Sequence, residues 1–509
     1  MRRLPLGVLA LLALPATAQE AGAPLSAIDW LSRSVEVPAS TVIGPPEPPV
    51  TRDGAAPGVT VTPLGSGQAG GQGILPPEVT GLPADLWSRS DTATLVRLIH
   101  AEQIETQPAL QDLLVTLLLA EAAPPADDPG STLFLARVDK LLDLGALEAA
   151  QSLLESADLT DPETFRRWFD VSLLRGTESD ACGLLAEQPS LAPTLNARVF
   201  CLARNGDWNA AALTLNSARA LGDVTPEQDE LLSRFLDPEL MEPEAELAPP
   251  SRPSPLTYRI REAVGDLMPT TGLPLAFSHA DLRDTVAWRA RIEAAERLAR
   301  YGALSENVLL GIYTAREPAA SGGIWDRAAS IQRLDAAVSS GDEAAAAEAL
   351  PVAWAAMDEA GLGVPFARLF AAPLLEMDLD GEVGALAKRI ALLSPDYETA
   401  ARMGMAGSAK ERLWTAIATG AVAGVETTDP ASAAVIAGFA EARVPIDLAR
   451  LIDEGRTGEA VLRAIAAFQQ GLDGDRQALT AAIATLRAVG LDSSARRAAL
   501  QYLLLDART

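Results

Sequence analysis

The feature that most restricts how this chain can fold is a glycine that recurs between alanine- and leucine-rich runs. An acidic, aromatic or small residue accompanies it, and alanine follows within a turn. It occurs at Gly145-Ala146-Leu147-Glu148-Ala149, Gly206-Asp207-Trp208-Asn209-Ala210-Ala211, Gly302-Ala303-Leu304, Gly341-Asp342-Glu343-Ala344, Gly381-Glu382-Val383, Gly455-Arg456-Thr457-Gly458-Glu459-Ala460 and Gly490-Leu491-Asp492. Glycine reaches the positive φ that ends a helix, and small alanines let successive helices approach closely. Three intervals are one helical hairpin long: 39 residues from Gly302 to Gly341, 40 from Gly341 to Gly381 and 35 from Gly455 to Gly490. That period belongs to stacked helix pairs, which offer a surface rather than a catalytic site. The spacing wanders elsewhere, with 61 residues from Gly145 to Gly206 and 96 from Gly206 to Gly302, so the array is degenerate.

Between the glycines the apolar residues keep a helical period. Helices are expected near 131–143, 146–156, 162–175, 178–187, 194–204 and 207–221, the last carrying Trp208, Ala211, Ala212, Leu215 and Ala218 on a narrow stripe. Upstream, Asp85 or Ser90 can cap a helix with Leu95, Leu98 and Ile99, and Pro108 opens another that Pro124-Pro125 ends. Near the end, Val461, Ile465 and Phe468 share a face, and Leu500, Leu503 and Leu504 pack together. No segment is strand-rich. The expected fold class is all-α, an α-solenoid of antiparallel helix pairs.

Gly206-Asp207-Trp208, with Ala211 and Ala218, resembles the turn and second helix of a tetratricopeptide-type (TPR-like) repeat. The resemblance covers 130–236 and, more loosely, 330–509. The chain departs from the family pattern at Val199, where a small residue is preferred, and at Pro226, to which the closing proline is displaced. The resemblance implies right-handed stacking of helix pairs with a concave face for partners, and it assigns no functional residue.

The ends and linkers divide the chain. Arg2 and Arg3, the apolar run Leu4 to Leu14, Pro15 and the small residues Ala16 and Ala18 read as a signal peptide over 1–18, cleaved after Ala18. No cysteine precedes Cys182, so a lipid-modified N-terminal cysteine is not expected. No later run is long and apolar enough to span a bilayer, which takes about 20 residues. The expectation is a periplasmic protein without an integral membrane segment. Residues 19–81 read as a disordered Pro/Gly-rich tether, since 38–77 holds 9 prolines and 8 glycines. Within it, Leu25 to Ser32 places Ile28 and Leu31 on one helical face with Trp30 at the margin. This suits a docking segment for the protein's own body or for another protein. Residues 82–236 form a first helical half. The interval 237–255, with 6 prolines and several acids, reads as a linker. Residues 256–509 form a second half with an atypical segment at 256–330.

Charge and cysteine usage narrow the partners. The net charge of −27 repels nucleic acid and anionic lipid, so neither is expected as a partner. Of 41 basic residues only Lys140, Lys388 and Lys410 are lysines. Cys182 and Cys201 are the only cysteines. In an exported protein they are expected to pair across the turn that Pro189 and Pro193 bracket.

Catalytic signatures are missing. The two histidines, His100 and His279, are 179 residues apart, and no phosphate loop, G-x-S-x-G or C-x-x-C occurs. No metal and no cofactor is expected. One region is less generic: 277–327 brings His279, Asp281, Arg283, Tyr313, Glu317, Trp325, Asp326 and Arg327 into turn-forming contexts. These residues suit a ligand or partner surface. They equally suit local structure, with Asp281 capping a helix and Asp326 pairing with an arginine. The sequence thus points to a non-enzymatic helical-repeat scaffold or adaptor that binds an envelope protein or peptide. The alternative is a glycan-acting envelope enzyme with a carboxylate site around 277–327.

Overall fold

The structure is a computed structural model that describes residues 73–128, 130–237, 247–405, 407–440 and 444–505. The expected signal peptide and the segment with Ile28, Trp30 and Leu31 lie outside the described residues. Among the described residues the fold is all-α, and Leu75 and Ala120 form an isolated parallel bridge.

The glycine punctuation works as a stop-and-start device. All seven glycines adopt positive φ, between +62° and +88°. At Gly341 the helix Ile324–Ser340 ends as Gly341 N–H donates to Val338 O and Asp342 N–H to Ala337 O, at 3.1 and 3.0 Å. The Asp342 carboxylate then accepts from Ala345 N at 3.0 Å and opens the helix Glu343–Glu359. Gly206 and Asp207 repeat this arrangement ahead of the helix Trp208–Leu221. One residue ends the old helix because it lacks a Cβ, and the next begins the new one because its side chain replaces a missing carbonyl. On the new helix Ala211, Leu215 and Ala218 are buried. Trp208 stays 49% exposed, its ring 6.0 Å from Phe235.

Cys182 and Cys201 form a disulfide between helices Glu178–Glu187 and Leu195–Arg204, with Cα atoms 4.9 Å apart. In the chain-entropy model, closing a loop of this size contributes roughly 3 kcal/mol.

The helix Thr132–Asp143 supplies two buried cations that end its neighbours. Arg137 donates to Leu118 O and Ala120 O (2.6 and 3.0 Å) at the end of the helix Pro108–Leu119. Lys140 donates to His100 O and Glu102 O (3.0 and 2.9 Å) at the end of the helix Thr92–Ala101. Cations suit these carbonyl-rich ends. Burial lowers the Arg137 pKa to about 10 and raises that of Glu102 to about 8, the latter against the pull of Lys140. The Thr92–Ala101 helix starts at Asp91, whose carboxylate accepts from Thr94 N at 2.8 Å, one residue beyond the expected Ser90.

The chain's two ends pack on each other. Helices Thr92–Ala101 and Pro108–Leu119 lie against Thr457–Leu472, and Pro108–Leu119 also lies against the last helix, Asp492–Leu505. Ala109 N donates to Gln501 Oε1 at 2.9 Å, and Thr106 Oγ1 to Gln469 Oε1 at 2.6 Å. Gly458 N donates to Leu86 O at 3.1 Å, and a Cβ at Gly458 would sit 2.6 Å from the buried Trp87 ring, so only glycine fits. Asp112, on the same N-terminal helix, pairs with Arg368, which also holds Glu306 at 2.9 Å.

Two large apolar clusters fill the interior, beside a small one of Leu448, Leu451 and Ala460. One joins side chains from Leu82 to Ala280 with those of the C-terminal helices up to Leu500, and the other runs from Trp288 to Leu393. The helix Pro255–Ala263 packs on helices Pro162–Arg175, Leu195–Arg204 and Pro226–Leu236.

Candidate functional site

Within 277–327 the eight candidate residues fall into separate groups. His279 lies in the 3-10 segment Leu275–Leu282, buried, with Nε2 2.7 Å from Gly145 O. A carbonyl can only accept, so Nε2 carries the proton and donates. Desolvation lowers the His279 pKa to about 4, which leaves the ring neutral near pH 7. Asp281 accepts from Thr270 Oγ1, and burial pushes its carboxyl up. Arg283 donates to Ala280 O at 2.7 Å and pairs with Glu262.

The second group faces the helix Trp288–Arg300. Tyr313 Oη donates to Glu296 Oε1 at 2.7 Å, and Arg327 holds both oxygens of Glu296 at 2.7 Å. Tyr313 is fully buried and Glu296 is 6% exposed, so the glutamate charge is matched inside the protein. Desolvation, then the Glu296 charge, raise the Tyr313 pKa well above its ordinary value. Trp325 lies 5.2 Å from Trp288, whose Nε1 donates to Ile312 O at 2.7 Å. Asp326 accepts from Gly322 N at 3.0 Å and closes the turn before its helix, so it holds a backbone amide in place of the expected arginine. Glu317 is exposed in the turn after the helix Glu306–Thr314.

His279, Asp281 and Arg283 bind toward Gly145, Thr270 and Glu262, whereas Tyr313 and Arg327 converge on Glu296. Glu296 and Glu262 organise both groups, yet each sits in an ordinary helical run, where nothing marks it among 68 acids.

The open surfaces lie elsewhere. A groove of about 1030 Å³ is walled by the helix Ala409–Thr419, the 426–429 turn with the helix Pro430–Phe439, the end of Thr457–Leu472 and the helix Asp492–Leu505. Its apolar lining is Leu413, Trp414, Leu472, Tyr502 and Leu503, and Lys410, Glu426 and Asp429 add charge. Local sequence fixes these walls. Ser408 and Glu411 form a reciprocal capping box, Asp429 accepts from Ser432 N at 2.8 Å, and Arg496 joins Asp492 at 2.5 Å beside Gly420. Another cleft, of about 620 Å³, lies among Phe169, Asp170, Thr194, Leu231 and Arg261. Burial raises the Asp170 pKa to about 7, with Arg166 and Arg167 opposing. A smaller one, of about 190 Å³, holds Glu105, Asp143, Arg297 and Tyr301. None of the eight candidate residues lines any of these three.

Among the described residues no group of three or more His, Cys, Asp or Glu is placed to hold a metal, and no helix is long and apolar enough to cross a membrane. No protein-family model matches the chain, and neither does a curated protein or a solved structure.

Proposed function

We propose that this protein is an exported, non-enzymatic adaptor of the periplasm, built as a degenerate array of TPR-like helix pairs. Its groove between helices Ala409–Thr419 and Asp492–Leu505 binds an apolar segment of an envelope protein. The observation that carries the reading is the contrast between an open groove, where Leu413, Trp414, Leu472, Tyr502 and Leu503 stand among polar side chains, and a 277–327 region where His279, Asp281, Arg283, Tyr313 and Arg327 bond to groups of the protein's own interior. A groove walled by helices, with apolar side chains inside and charges among them, suits an amphipathic helix or a short extended segment. The arginine- and leucine-led N-terminus supports export, as does the pairing of the only two cysteines, because disulfides persist outside the cytosol.

Photo-crosslinkers placed at Lys410 and at Glu317 in the intact envelope test this. The adaptor reading expects an identified protein joined at Lys410 and none at Glu317. Turnover of purified cell-wall glycan that disappears in Asp281→Asn or Glu262→Gln would replace it with the enzyme reading.

A further inference from the structure

The groove is large for a small-molecule site, at the top of the usual range of about 300–1,000 Å³. Leu413, Trp414, Leu472 and Leu503 call for an occupant with several apolar side chains on one face. The chain carries such a segment. Leu25, Ile28 and Leu31 fall at i, i+3 and i+6, with Trp30 beside them, and a proline- and glycine-rich stretch separates them from the helical body.

Reach decides whether the segment can arrive. The described chain begins along the end of the helix Pro108–Leu119, where Ile74 N and Leu75 N both donate to Leu119 O at 3.0 and 3.1 Å. The other end of that helix touches Gln501, next to Tyr502 and Leu503 of the groove. The helix is about 16 Å long at 1.5 Å per residue. Crossing the last helix adds about 10 Å. About 40 residues separate Ser32 from the described chain, and coil scaling for a glycine-rich sequence of that length gives a root-mean-square span of roughly 35 Å, which covers that distance. An occupant tethered at this range has an effective concentration of order millimolar, far above that of a second copy or a dilute partner.

We propose that residues 25–32 dock in cis into the 409–503 groove, so that the free protein holds its own tail there and a partner segment enters by displacing it. This rests on the adaptor reading of the same groove and deepens it: the tail is an internal competitor that sets how strong an external ligand must be.

The test uses the full-length exported chain and a chain lacking residues 19–40. A photo-crosslinker at Trp30 is expected to join Leu413, Trp414 or Leu503 of the same molecule, with a yield independent of protein concentration. A synthetic peptide spanning residues 22–35 is expected to bind the shortened chain at least ~10-fold more tightly than the full chain. Ala431→Trp, which fills the groove, and Leu503→Ser, which weakens its wall, should each reduce that binding ~10-fold or more while the thermal transition is kept. Two variants guard against one that fails to fold. Crosslinks elsewhere on the body, crosslinks between chains that grow with concentration, or equal peptide affinity for both chains would overturn the proposal. An external partner crosslinked at Lys410 with no cis crosslink from Trp30 would leave the adaptor reading standing and remove this one. A cis crosslink with no partner would do the reverse.

Discussion

The 277–327 region and the 409–503 groove make opposite impressions in sequence and in structure. The 277–327 region is rich in histidine, arginine, carboxylates and aromatics, and its polar groups bond inward: His279 to Gly145, Tyr313 and Arg327 to Glu296, Arg283 to Glu262. The groove is built from ordinary helical sequence, yet Trp414, Leu472, Tyr502 and Leu503 line open space there. Reactive residue types alone therefore do not identify a site. A charged group in an all-α array must find a partner or stay in water, and partners inside consume it.

Experiments that break this contrast would show the 277–327 region to be more than scaffolding. The largest effect is expected for Arg327→Ala. It leaves the Glu296 carboxylate buried without its bidentate partner and should cost about 3–5 kcal/mol in urea unfolding. Binding at the groove should stay intact wherever the variant is folded. Loss of peptide binding in folded Arg327→Ala protein would join the two regions functionally.

Cys182→Ser is next. Freed of its link to Cys201, the hairpin should lose roughly 3 kcal/mol. Denatured wild-type protein should show no reactive thiol, and two would contradict the pairing.

The pH dependence sharpens the comparison through two buried groups of opposite sign. The His279 pKa falls from 6.5 to about 4 on folding, so the unfolded chain binds its proton more tightly. Its contribution is present above pH 6.5 and is lost as pH falls through about 4. The Glu102 pKa rises from 4.5 to about 8, so its contribution is complete below 4.5 and fades as pH rises through 8. Melting temperatures followed across pH should show a shallower acid slope in His279→Gln and a shallower alkaline slope in Glu102→Gln. Unchanged slopes would place both groups in contact with water.

The smallest stability change is expected at the groove. Leu503 is only half-buried, so Leu503→Ser should cost about 1 kcal/mol or less in a thermal melt while impairing binding. A loss of several kcal/mol would make Leu503 part of the core instead.

Much of the secondary structure was legible. Helices expected at 162–175 and 178–187 occur as Pro162–Arg175 and Glu178–Glu187, because proline, aspartate and glycine act within a turn of where they stand. The Cys182–Cys201 pairing was legible for the same reason, being local to one hairpin. Leu503, expected to pack, does pack against the core but only half-buried, and it also lines the groove wall, since spacing gives a face and not its neighbour.

The sequence by itself determined an all-α chain and set the helix ends between 131 and 221 to within a residue, because φ, capping and helical period are short-range properties. The helix opened by Pro108 stops at Leu119, short of the expected Pro124-Pro125. Only the tertiary structure decided that Gln501 meets Ala109, that Gly458 admits Trp87, that Glu296 gathers Tyr313 and Arg327, and that the last helix leaves a groove beside Trp414. Those outcomes depend on contacts between residues up to 392 positions apart, and no local pattern encodes which distant face a helix will meet.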